Sequence, residues 1–589
     1  MDARAALRRH FGFEAFRPGQ AEAVQAALQG RDVLVVMPTG SGKSLCYQLP
    51  ALMRDDLTVV VSPLVSLMQD QLEALERVAP GQVAVVNAQR GAAENRGALE
   101  RALAGDVRLL YVAPERFSSP GFAEELARAE VGLFVVDEAH CVSQWGHDFR
   151  PDYFRLADAA RYIGARAIVA LTATATPQVA GDVVRRLRLD DPARITTGFD
   201  RPNLSFAVVA CATRADKHRR IAAALGRPGA LPAIVYAGTR AGTETLAAEL
   251  ADRLGEEVTA YHAGLDRESR AGVQRRFMAG EVRVVVATNA FGMGIDKADV
   301  RTVCHETVPG SVEAFYQEAG RAGRDGAPAT CLLFAEQRDK GLHVFFIQRA
   351  AIDDAAFARV AEGLRTSAAG DRYDLGLGEV AAAAGVAQDA ARAIIGHLAR
   401  AGLVRPAPAA PDRASGRLTG EWSGRALAAC RASAGEAERV RWRQYRAVWS
   451  FVEGSTCRRR AILRHFGDGV APVGRDDVPC CDVCDDSLVP APPTVRRAAR
   501  AEPGGDGELD DAIVAVVEAA APAVGRTRAV EILRGGRSKV IREHSYDGLR
   551  PYGAFAHLSG NQVLARVDEL LEAGTLRSTG GRFPKLQAA

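Results

Sequence analysis

The sequence has little lysine and no long apolar run. Only six of its 75 basic residues are lysine and the other 69 are arginine, so a lysine that does occur marks a need for a compact ammonium. No stretch of about 18 apolar residues is present to span a bilayer, and residues 1–10 hold no apolar core of signal-peptide length. Ten cysteines among 589 residues do not suggest a disulfide scaffold, and we expect a reducing, cytoplasmic location.

The chain also has almost no net charge. With 75 basic and 72 acidic residues the net charge is +3, so affinity for nucleic acid depends on local patches. A hydrophobic content of 48% and a charged content of 25% exclude a disordered, collagen-like or membrane-embedded chain. At roughly 100–200 residues per domain, the length predicts three to five domains and excludes a single small binding module.

Short runs rich in Val and Ile alternate with longer helical patterns from about residue 32 to residue 333. This alternation is typical of buried parallel strands, and it predicts two doubly wound α/β sheets in tandem, joined near Pro202. The predicted strands are 33–37, 58–62, 108–112, 133–137 and 167–172 in the first sheet, and 233–236, 258–262, 282–288, 302–306 and 329–334 in the second.

Beyond about residue 349 the chain changes to alanine-rich helices. Residues 376–402 predict two helices around a turn at 385–386, residues 413–422 predict a wing, and residues 561–573 and 575–586 predict a helix and a hairpin. The predicted regions are a first lobe at 1–200, a second lobe at 201–345, an inserted helix-turn-helix or winged-helix-like module at 346–430, a helical zinc module at 431–487, a linker at 488–507 and a C-terminal winged helix at 508–589.

A phosphate-binding loop follows the first predicted strand. Small residues let backbone N–H groups surround phosphate oxygens, Lys43 reaches the β- and γ-phosphates, and the Ser44 hydroxyl ligates Mg²⁺. Met37 stands where the consensus begins with glycine, and a chance glycine-rich turn is the alternative. The predicted nucleotide-binding residues of the loop are Thr39, Gly40, Ser41, Gly42, Lys43 and Ser44.

Two carboxylates, Asp137 and Glu138, come at the end of a later apolar strand. Phosphoryl transfer needs one group to hold Mg²⁺, predicted to be Asp137, and one to orient or deprotonate the attacking water, predicted to be Glu138. A solvated acidic pair at a strand end is the alternative, and the combination with Lys43 favours the catalytic interpretation.

Further segments carry a resemblance to a known family. Leu-Thr-Ala-Thr-Ala at 171–175 and Gln-Glu-Ala-Gly-Arg-Ala-Gly-Arg-Asp-Gly at 317–326 resemble motifs III and VI of the superfamily 2 helicases. The resemblance narrows to the RecQ family of DNA helicases at residues 11–20, 62–71, 140–151 and 287–296, and at a cysteine cluster within 457–484. It covers roughly residues 7–340, 457–484 and 508–586, and no HRDC-like domain is expected after residue 586.

The resemblance implies roles for five more side chains around the nucleotide. It implies that Arg17 and Gln20 contact the adenine of ATP. It also implies that Gln317, Arg321 and Arg324 belong to the catalytic machinery, with Arg324 the better candidate for an arginine finger. A finger from the second lobe acts only when the lobes close, whereas surface salt bridging is the alternative for the two arginines.

A loop rich in aromatic residues follows the acidic pair. Trp145, His147 and Phe149 offer flat faces for bases, while Arg150 offers a charge for phosphate, and Gln144 lies in the same loop. A hydrophobic plug between the lobes is the alternative. The resemblance to the RecQ aromatic-rich loop favours contact with DNA, coupled to ATP hydrolysis.

Four cysteines lie within 28 positions: Cys457, Cys480, Cys481 and Cys484. Four thiolates in a reducing compartment suit tetrahedral Zn²⁺. Because the adjacent pair departs from the commonest family spacing, Asp482 and Asp485 are reserve candidates for the fourth ligand. The helix that follows Cys457 predicts either a basic patch or a solvated face, formed by Arg458, Arg459, Arg460 and Arg464.

The tail from residue 508 resembles the winged-helix part of the RecQ C-terminal region. Arg537 and Lys539 follow two glycines at a predicted helix start, which suits a DNA phosphate, and a protein contact is the alternative. His397, on an amphipathic helix, is predicted to be a surface or core residue and not a ligand.

These features together predict an ATP-dependent DNA helicase that moves along single-stranded DNA and unwinds duplex or branched DNA in recombination and repair. The predicted cofactors are ATP, Mg²⁺ and Zn²⁺. The resemblance implies 3′→5′ polarity, nucleoid association, and single-strand binding protein or topoisomerase partners. Two alternatives stay open: an ATP-regulated DNA-binding protein that does not separate strands, and an RNA-directed remodeller of the same superfamily.

Overall fold

The computed structural model describes residues 2–588 except 64, 88–89, 119–120, 144–152, 154, 293–294, 408–411, 490–505, 537 and 580–583. The chain divides into two units, Met1–Pro493 and Thr494–Ala589, and each is described by itself. Among the described helices, none is both long enough and apolar enough to cross a membrane.

Lobe 1 is a parallel sheet in the order β3-β4-β2-β5-β6-β1-β7. Strands buried on both faces become continuous Val- and Ile-rich runs, which is why five of them are predictable from the sequence. The sheet consists of β1 (Val33–Val36), β2 (Leu57–Val61), β3 (Val83–Val86), β4 (Leu109–Val112), β5 (Val131–Val136), β6 (Ala167–Thr172) and β7 (Ala193–Thr196).

The helices of lobe 1 connect these strands. Between β1 and α3 lie the residues of the predicted phosphate loop, as a loop from a strand end to a helix start requires. The helices are α1 (Ala3–Phe11), α2 (Gln20–Leu28), α3 (Leu45–Met53), α4 (Val65–Glu76), α5 (Ala92–Leu103), α6 (Phe122–Leu126), α7 (Leu156–Tyr162) and α8 (Pro177–Leu187).

Lobe 2 is a second parallel sheet, in the order β10-β11-β9-β12-β13-β8. All five predicted strands are present, and β8 is an additional strand directly after the join. The lobe consists of β8 (Leu204–Cys211), β9 (Ala233–Tyr236), β10 (Val258–Tyr261), β11 (Val284–Ala287), β12 (Thr302–His305) and β13 (Ala329–Glu336), with α9 (Arg214–Leu225), α10 (Arg240–Leu254), α11 (Arg267–Ala279), α12 (Val312–Ala319) and α13 (Gln337–Arg349).

The inserted module combines three helices with a three-stranded sheet in the order β14-β16-β15, the arrangement of a winged helix. The predicted turn is present, since Gly385 ends α15 with a φ of 64°. The predicted wing includes β16. The elements are α14 (Asp354–Thr366), β14 (Arg372–Gly376), α15 (Leu377–Ala384), α16 (Gln388–Arg400), β15 (Val404–Ala407) and β16 (Arg413–Leu418).

Two further helices, α17 (Gly424–Glu453) and α18 (Arg458–His465), join the inserted module to the cysteine cluster. The predicted boundary between residues 430 and 431 falls inside α17. Both helices pack at the join of the lobes. Phe466, directly after α18, stacks on Phe199 at the end of lobe 1 with centroids 4.4 Å apart, and the ring of Phe451 on α17 is 5.3 Å from that of Phe315 in lobe 2. The zinc module and lobe 2 therefore share one apolar core.

The second unit has its own core, with Ile513, Val516, Ile532 and Val563 fully buried. The predicted hairpin is present as an antiparallel pair of short strands, and the glycines at its turn lie outside the described residues. The unit contains α19 (Asp506–Ala519), α20 (Arg526–Leu533), α21 (Lys539–Glu543), α22 (Gly560–Glu572), β17 (Leu576–Ser578) and β18 (Leu586–Ala588).

Candidate nucleotide site and metal centre

The phosphate loop turns sharply between β1 and α3. Gly40 and Gly42 have φ values of 82° and 80°, which a residue with a Cβ adopts only with strain. Lys43 closes the loop on itself, because its Nζ donates to the carbonyl oxygens of Met37 at 3.1 Å and Pro38 at 3.2 Å. Burial lowers the pKa of Lys43, and the nearby carboxylates only partly oppose that effect. The ammonium is thus held at the centre of the loop.

Arg17 and Gln20 lie against the same loop. The Arg17 guanidinium donates to the carbonyl oxygen of Gly40 at 2.7 Å. The Gln20 amide donates to the carbonyl oxygens of Ser41 at 3.2 Å and Gly42 at 3.0 Å. The two predicted adenine contacts are therefore placed beside the phosphate loop, and the base contact itself stays a prediction.

The two carboxylates follow β5 and face Lys43. Burial, and then the charge of Glu138, raise the pKa of Asp137 to about 7. Asp137 accepts a hydrogen bond from the backbone N–H of Glu138 at 3.0 Å. Glu138 itself has a φ of 47°, a left-handed conformation that costs a non-glycine residue about 1–3 kcal/mol. Strain of this kind is commonly found at functional sites.

His140 links the acidic pair to the neighbouring strand. Its Nδ1 lies 2.9 Å from Thr172 Oγ1 at the end of β6 and 3.3 Å from a carboxylate oxygen of Glu138. Burial would lower the pKa of His140, but Cys141 and Glu138 raise it well above the usual value. The sequence assigned no role to His140 or Thr172, although both lie in segments that it singled out.

The predicted motif VI lies against the phosphate loop through Arg324 and Gly320. A Cβ added to Gly40 would lie 3.3 Å from Cγ of Arg324, and one added to Gly320 would lie 3.3 Å from Cβ of Thr39. Arg324 forms an ion pair with Asp296, while burial and then the charge of Arg321 lower its pKa. Lobe 2 thus presents the Arg324 side chain to the lobe 1 loop, while Arg321 lies beside Gly292 and Tyr236 within lobe 2.

The other two predicted catalytic residues of motif VI, Arg321 and Gln317, lie close to Arg324 in the sequence. Arg321 is buried, with 4% of its surface exposed, and Gln317 is half-buried on α12.

Arg201 was missed by the sequence analysis, which noted only the join at Pro202. Its Nη1 donates to the carbonyl oxygen of Thr39 at 3.0 Å, and its Nη2 donates to those of Ala322 at 3.0 Å and Gly323 at 3.1 Å. One side chain therefore ties the phosphate loop to motif VI. Its position beside the predicted join at Pro202 is the signal that the sequence offered.

Of the seven predicted DNA-contacting residues, the structure describes only Lys539. Gln144, Trp145, His147, Phe149 and Arg150 lie outside the described residues, as does Arg537 in the second unit. Lys539 is the first residue of α21. Their contacts with DNA stay predictions.

The four predicted zinc ligands converge. The sulfur atoms of Cys457, Cys480, Cys481 and Cys484 all lie within 4.8 Å of one another, and two pairs are 3.5 Å apart. Tetrahedral zinc with bonds of about 2.3 Å places its sulfur ligands about 3.8 Å apart, so this set fits the ion. The four thiolates would hold Zn²⁺ as a closed structural site.

The two reserve ligands have other partners, and the predicted basic patch is partly wrong. Asp482 accepts two hydrogen bonds from Arg458 at 2.9 and 3.0 Å, and Asp485 caps the short turn that follows by accepting from the N–H of Ser487. Arg459 pairs with Asp200 of the lobe 1 end through contacts of 2.6–3.0 Å.

The two arginines of these pairs, Arg458 and Arg459, are buried, with 6% and 2% exposure, and each is neutralised by a half-buried carboxylate. The sequence prediction of a basic patch or a solvated face therefore fails for Arg458 and Arg459. Only Arg460 and Arg464 of the four are exposed.

The adjacent cysteines have a structural explanation. The carbonyl oxygen of Cys480 accepts from Phe206 N at 3.3 Å, and Asp482 N donates to the Phe206 carbonyl oxygen at 3.0 Å. This segment therefore adds to the edge of β8 as a short parallel bridge. The metal centre is built onto the lobe 2 sheet and is not an independent finger.

His397 was predicted to be either a surface residue or a core residue, and the structure shows that it is a core residue. It is buried beneath α17, its Nδ1 lies 2.9 Å from Ser433 Oγ, and burial lowers its pKa to about 4.

Comparison with known protein families divides the chain in the same order. Residues 17–183 match the DEAD/DEAH box helicase family, 221–326 the helicase conserved C-terminal domain, 424–485 the RecQ zinc-binding family and 508–589 the RQC domain.

Curated relatives extend the likeness over most of the chain. The probable ATP-dependent DNA helicase RecS of Bacillus subtilis is 34% identical over 480 residues, which are 81% of this chain and 91% of that protein. The ATP-dependent DNA helicase RecQ of Pasteurella multocida is 31% identical over 97% of this chain and 74% of its own length. With its two helicase lobes, its four-cysteine centre and its C-terminal RQC domain, the chain belongs to the RecQ family of ATP-dependent DNA helicases.

Proposed function

We propose that this protein hydrolyses ATP to move 3′→5′ along single-stranded DNA and to unwind duplex or branched DNA in recombination and repair. The observation that carries the proposal is the meeting of the two lobes at the phosphate loop, where Arg324 lies beside Gly40 and Arg201 bonds to Thr39. Because both lobes contribute groups to one nucleotide site, a change in the nucleotide changes the forces that hold the lobes together.

Each group of the site has a proposed part in hydrolysis. The loop N–H groups and Lys43 bind the phosphates, and Arg17 and Gln20 bind the adenine. Ser44 and Asp137 would hold Mg²⁺, which neutralises charge on the β- and γ-phosphate oxygens when bound. Glu138 orients the attacking water, and its strained backbone fixes the direction of its carboxylate.

The arginines of lobe 2 complete the catalytic arrangement. Arg324 would exchange its ion pair with Asp296 for the γ-phosphate, and Arg321 and Gln317 would support it from the same segment. A guanidinium at the transferring phosphoryl group commonly accelerates hydrolysis by about 10³–10⁵-fold. Since this group arrives from the second lobe, hydrolysis depends on lobe closure.

The proposed domain boundaries follow the predicted ones, with a first lobe at 1–200, a second at 201–345, an inserted module at 346–430, a zinc module at 431–487, a linker at 488–507 and a winged helix at 508–589. The lobes carry the motor, while the aromatic loop and the residues Arg537 and Lys539 contact DNA. The family resemblance supports single-strand binding protein and topoisomerase as partners. A DNA substrate and a cluster of reduced thiolates suit the bacterial cytoplasm at the nucleoid.

The test is strand separation on substrates of defined polarity. A labelled oligonucleotide is annealed at either end of a longer single strand, so that each polarity releases a different product, and release is followed with ATP and without it. We expect ATP-dependent release of the oligonucleotide that 3′→5′ movement encounters. Release of the other product would overturn the polarity, and hydrolysis without release would favour a DNA-binding ATPase.

A comparison of nucleic acids separates the remaining alternative. DNA should stimulate the ATPase more strongly than RNA of the same sequence. Stronger stimulation by RNA would indicate an RNA-directed remodeller.

A further inference from the structure

A cavity of about 530 Å³ lies between lobe 1 and the inserted module. Its lobe 1 wall contains Arg155, directly before α7, and Arg186 on α8. Its other wall contains Arg400 at the end of α16 and Arg405 on β15. The helices and strands of the inserted module, residues 354–418, lie between the segments at 221–326 and 424–485 that match known families, so the family assignments give this wall of the cavity no role.

Three of the four arginine side chains are held in place by neighbouring groups. Arg155 donates through Nη2 to the carbonyl oxygen of Pro406 and so crosses from lobe 1 to the module. Arg400 donates through Nη2 to Nδ1 of His397 at 2.9 Å, and Arg186 pairs through Nε with Asp182 at 3.0 Å. Guanidinium groups positioned in this way need little further ordering to bind a ligand.

The charged groups in the lining of the cavity are all positive, and Asp182, which pairs with Arg186, lies outside the lining. Ten described residues line the cavity, four of them are arginine, and none of the ten is aspartate or glutamate. Burial and then the charge of Arg186 lower the pKa of Arg400 to about 10, which is the effect of like charges brought together in a poorly solvated place. An anion between the two walls would remove this repulsion.

We propose that this arginine-lined cavity is a second anion site, which binds a phosphate group between lobe 1 and the inserted module. Guanidinium groups recognise phosphate oxygens through paired, charge-assisted N–H donors. Two sources carry this chemistry: a phosphodiester of the DNA backbone and a free phosphate or nucleotide.

The observations favour the DNA backbone as the source. One wall of the cavity is α16, the second helix of a helix-turn-helix, and the neighbouring Arg405 lies on its sheet beside the wing strand. A phosphodiester held here would make the inserted module a clamp on DNA that is also in contact with lobe 1. The proposed binding of a phosphodiester in this cavity does not depend on the polarity or the rate of unwinding, so it can be tested separately from the proposed function.

The first arm of the test measures DNA affinity against salt concentration for the full chain. We would replace Arg405 at the exposed rim (Arg405→Gln) and Arg186 (Arg186→Gln), with Arg392→Gln as a matched control, because Arg392 is exposed on the same helix as Arg400. Loss of one phosphate contact lowers the slope of log affinity against log salt by about 0.7 for single strands and about 0.9 for duplex. Thermal unfolding of each variant checks that the fold is intact.

The second arm measures stabilisation by inorganic phosphate without DNA, with the nucleotide site saturated by ADP. Smaller salt slopes in both cavity variants but not in Arg392→Gln would support a phosphodiester. Stabilisation of the wild type by phosphate that both variants lose, with unchanged DNA slopes, would support the anion site and assign it to a free phosphate.

Wild-type behaviour of both variants in both arms would overturn the proposal. An equal loss of slope in Arg392→Gln would do the same, because it would mean that general surface charge is responsible.

Discussion

The nucleotide site and the metal centre both gather charged groups in the interior, and they use them in opposite ways. At the nucleotide site, burial raises the pKa of Asp137, and Glu138 has a left-handed backbone conformation. The fold therefore holds the charged form of Asp137 and the backbone of Glu138 in states that cost free energy. At the metal centre, Arg458 and Arg459 each pair with one carboxylate at hydrogen-bonding distance. The charged groups of the nucleotide site are placed for reaction with a substrate, whereas the ion pairs of the metal centre stabilise the fold.

This comparison predicts different effects for variants at the two sites. Changes at the nucleotide site should reduce activity with little effect on stability, because the ligands that satisfy its groups are substrates. Changes at the metal centre should reduce stability first, because breaking a buried pair leaves an uncompensated charge.

The largest effect is expected for Cys457→Ser. A structural zinc site contributes about 10–16 kcal/mol of apparent binding free energy, so loss of one thiolate should give an unstable or insoluble chain. Elemental analysis should find one zinc per wild-type chain, and the exposed neighbour variant Ser455→Ala should keep it. Cys480→Ser and Cys481→Ser should each be damaging, and a silent substitution at either position with zinc still bound would refute the four-thiolate set.

Arg459→Gln should cost about 3 kcal/mol of unfolding free energy, the lower end of the range for breaking a buried pair, because it leaves the half-buried carboxylate of Asp200 without its cation. Denaturant unfolding measures this loss. Arg460→Gln, at the exposed neighbouring position, is the control and should stay within about 0.5 kcal/mol of the wild type. Equal stabilities of the two variants would mean that the ion pair does not support the fold.

Lys43→Ala should have the opposite effect, a large loss of activity with little loss of stability. Loss of a preorganised charge at the phosphates should reduce the ATPase by about 10²–10³-fold. The unfolding midpoint should hardly change, since burial already disfavours the charged form of this side chain. Steady-state hydrolysis and thermal unfolding on the same preparation check both statements, and retained hydrolysis would place the nucleotide site elsewhere.

The smallest effect is expected for the double variant Trp145→Ala with Phe149→Ala. Stacking is worth about 1–3 kcal/mol per base, so DNA should stimulate the ATPase less, while the rate without DNA stays near that of the wild type. Tyr162→Ala, which removes an exposed aromatic residue from the same lobe, is the control. If the rates with and without DNA fall equally, the loop is a structural plug.

The same comparison explains what could be predicted from the sequence. The phosphate loop and the cysteine cluster are local patterns, and buried parallel strands leave continuous apolar runs. The sequence analysis predicted neither β3 nor β7. β3 has a short run of this kind that the analysis missed, whereas β7 is a short edge strand with one buried residue, Ile195.

Long-range charge pairs leave no such pattern. Arg459 lies 259 positions from Asp200, and Arg201 reaches Thr39 across 162 positions. Among 69 arginines, none of these contacts stands out in the sequence. The sequence therefore indicated which elements form the site, and only the structure indicates which arginines hold it together.

The most direct test of the account concerns Arg324, the group that lobe 2 brings to the phosphate loop. Single-turnover unwinding of a forked duplex is compared between the wild type and Arg324→Lys, with ATP binding measured in parallel. We expect near wild-type ATP binding by the variant and unwinding slower by about 10³-fold, because an ammonium does not reproduce the paired donors of the guanidinium. Unwinding by Arg324→Lys at the wild-type rate would contradict the claim that lobe closure at this site drives strand separation.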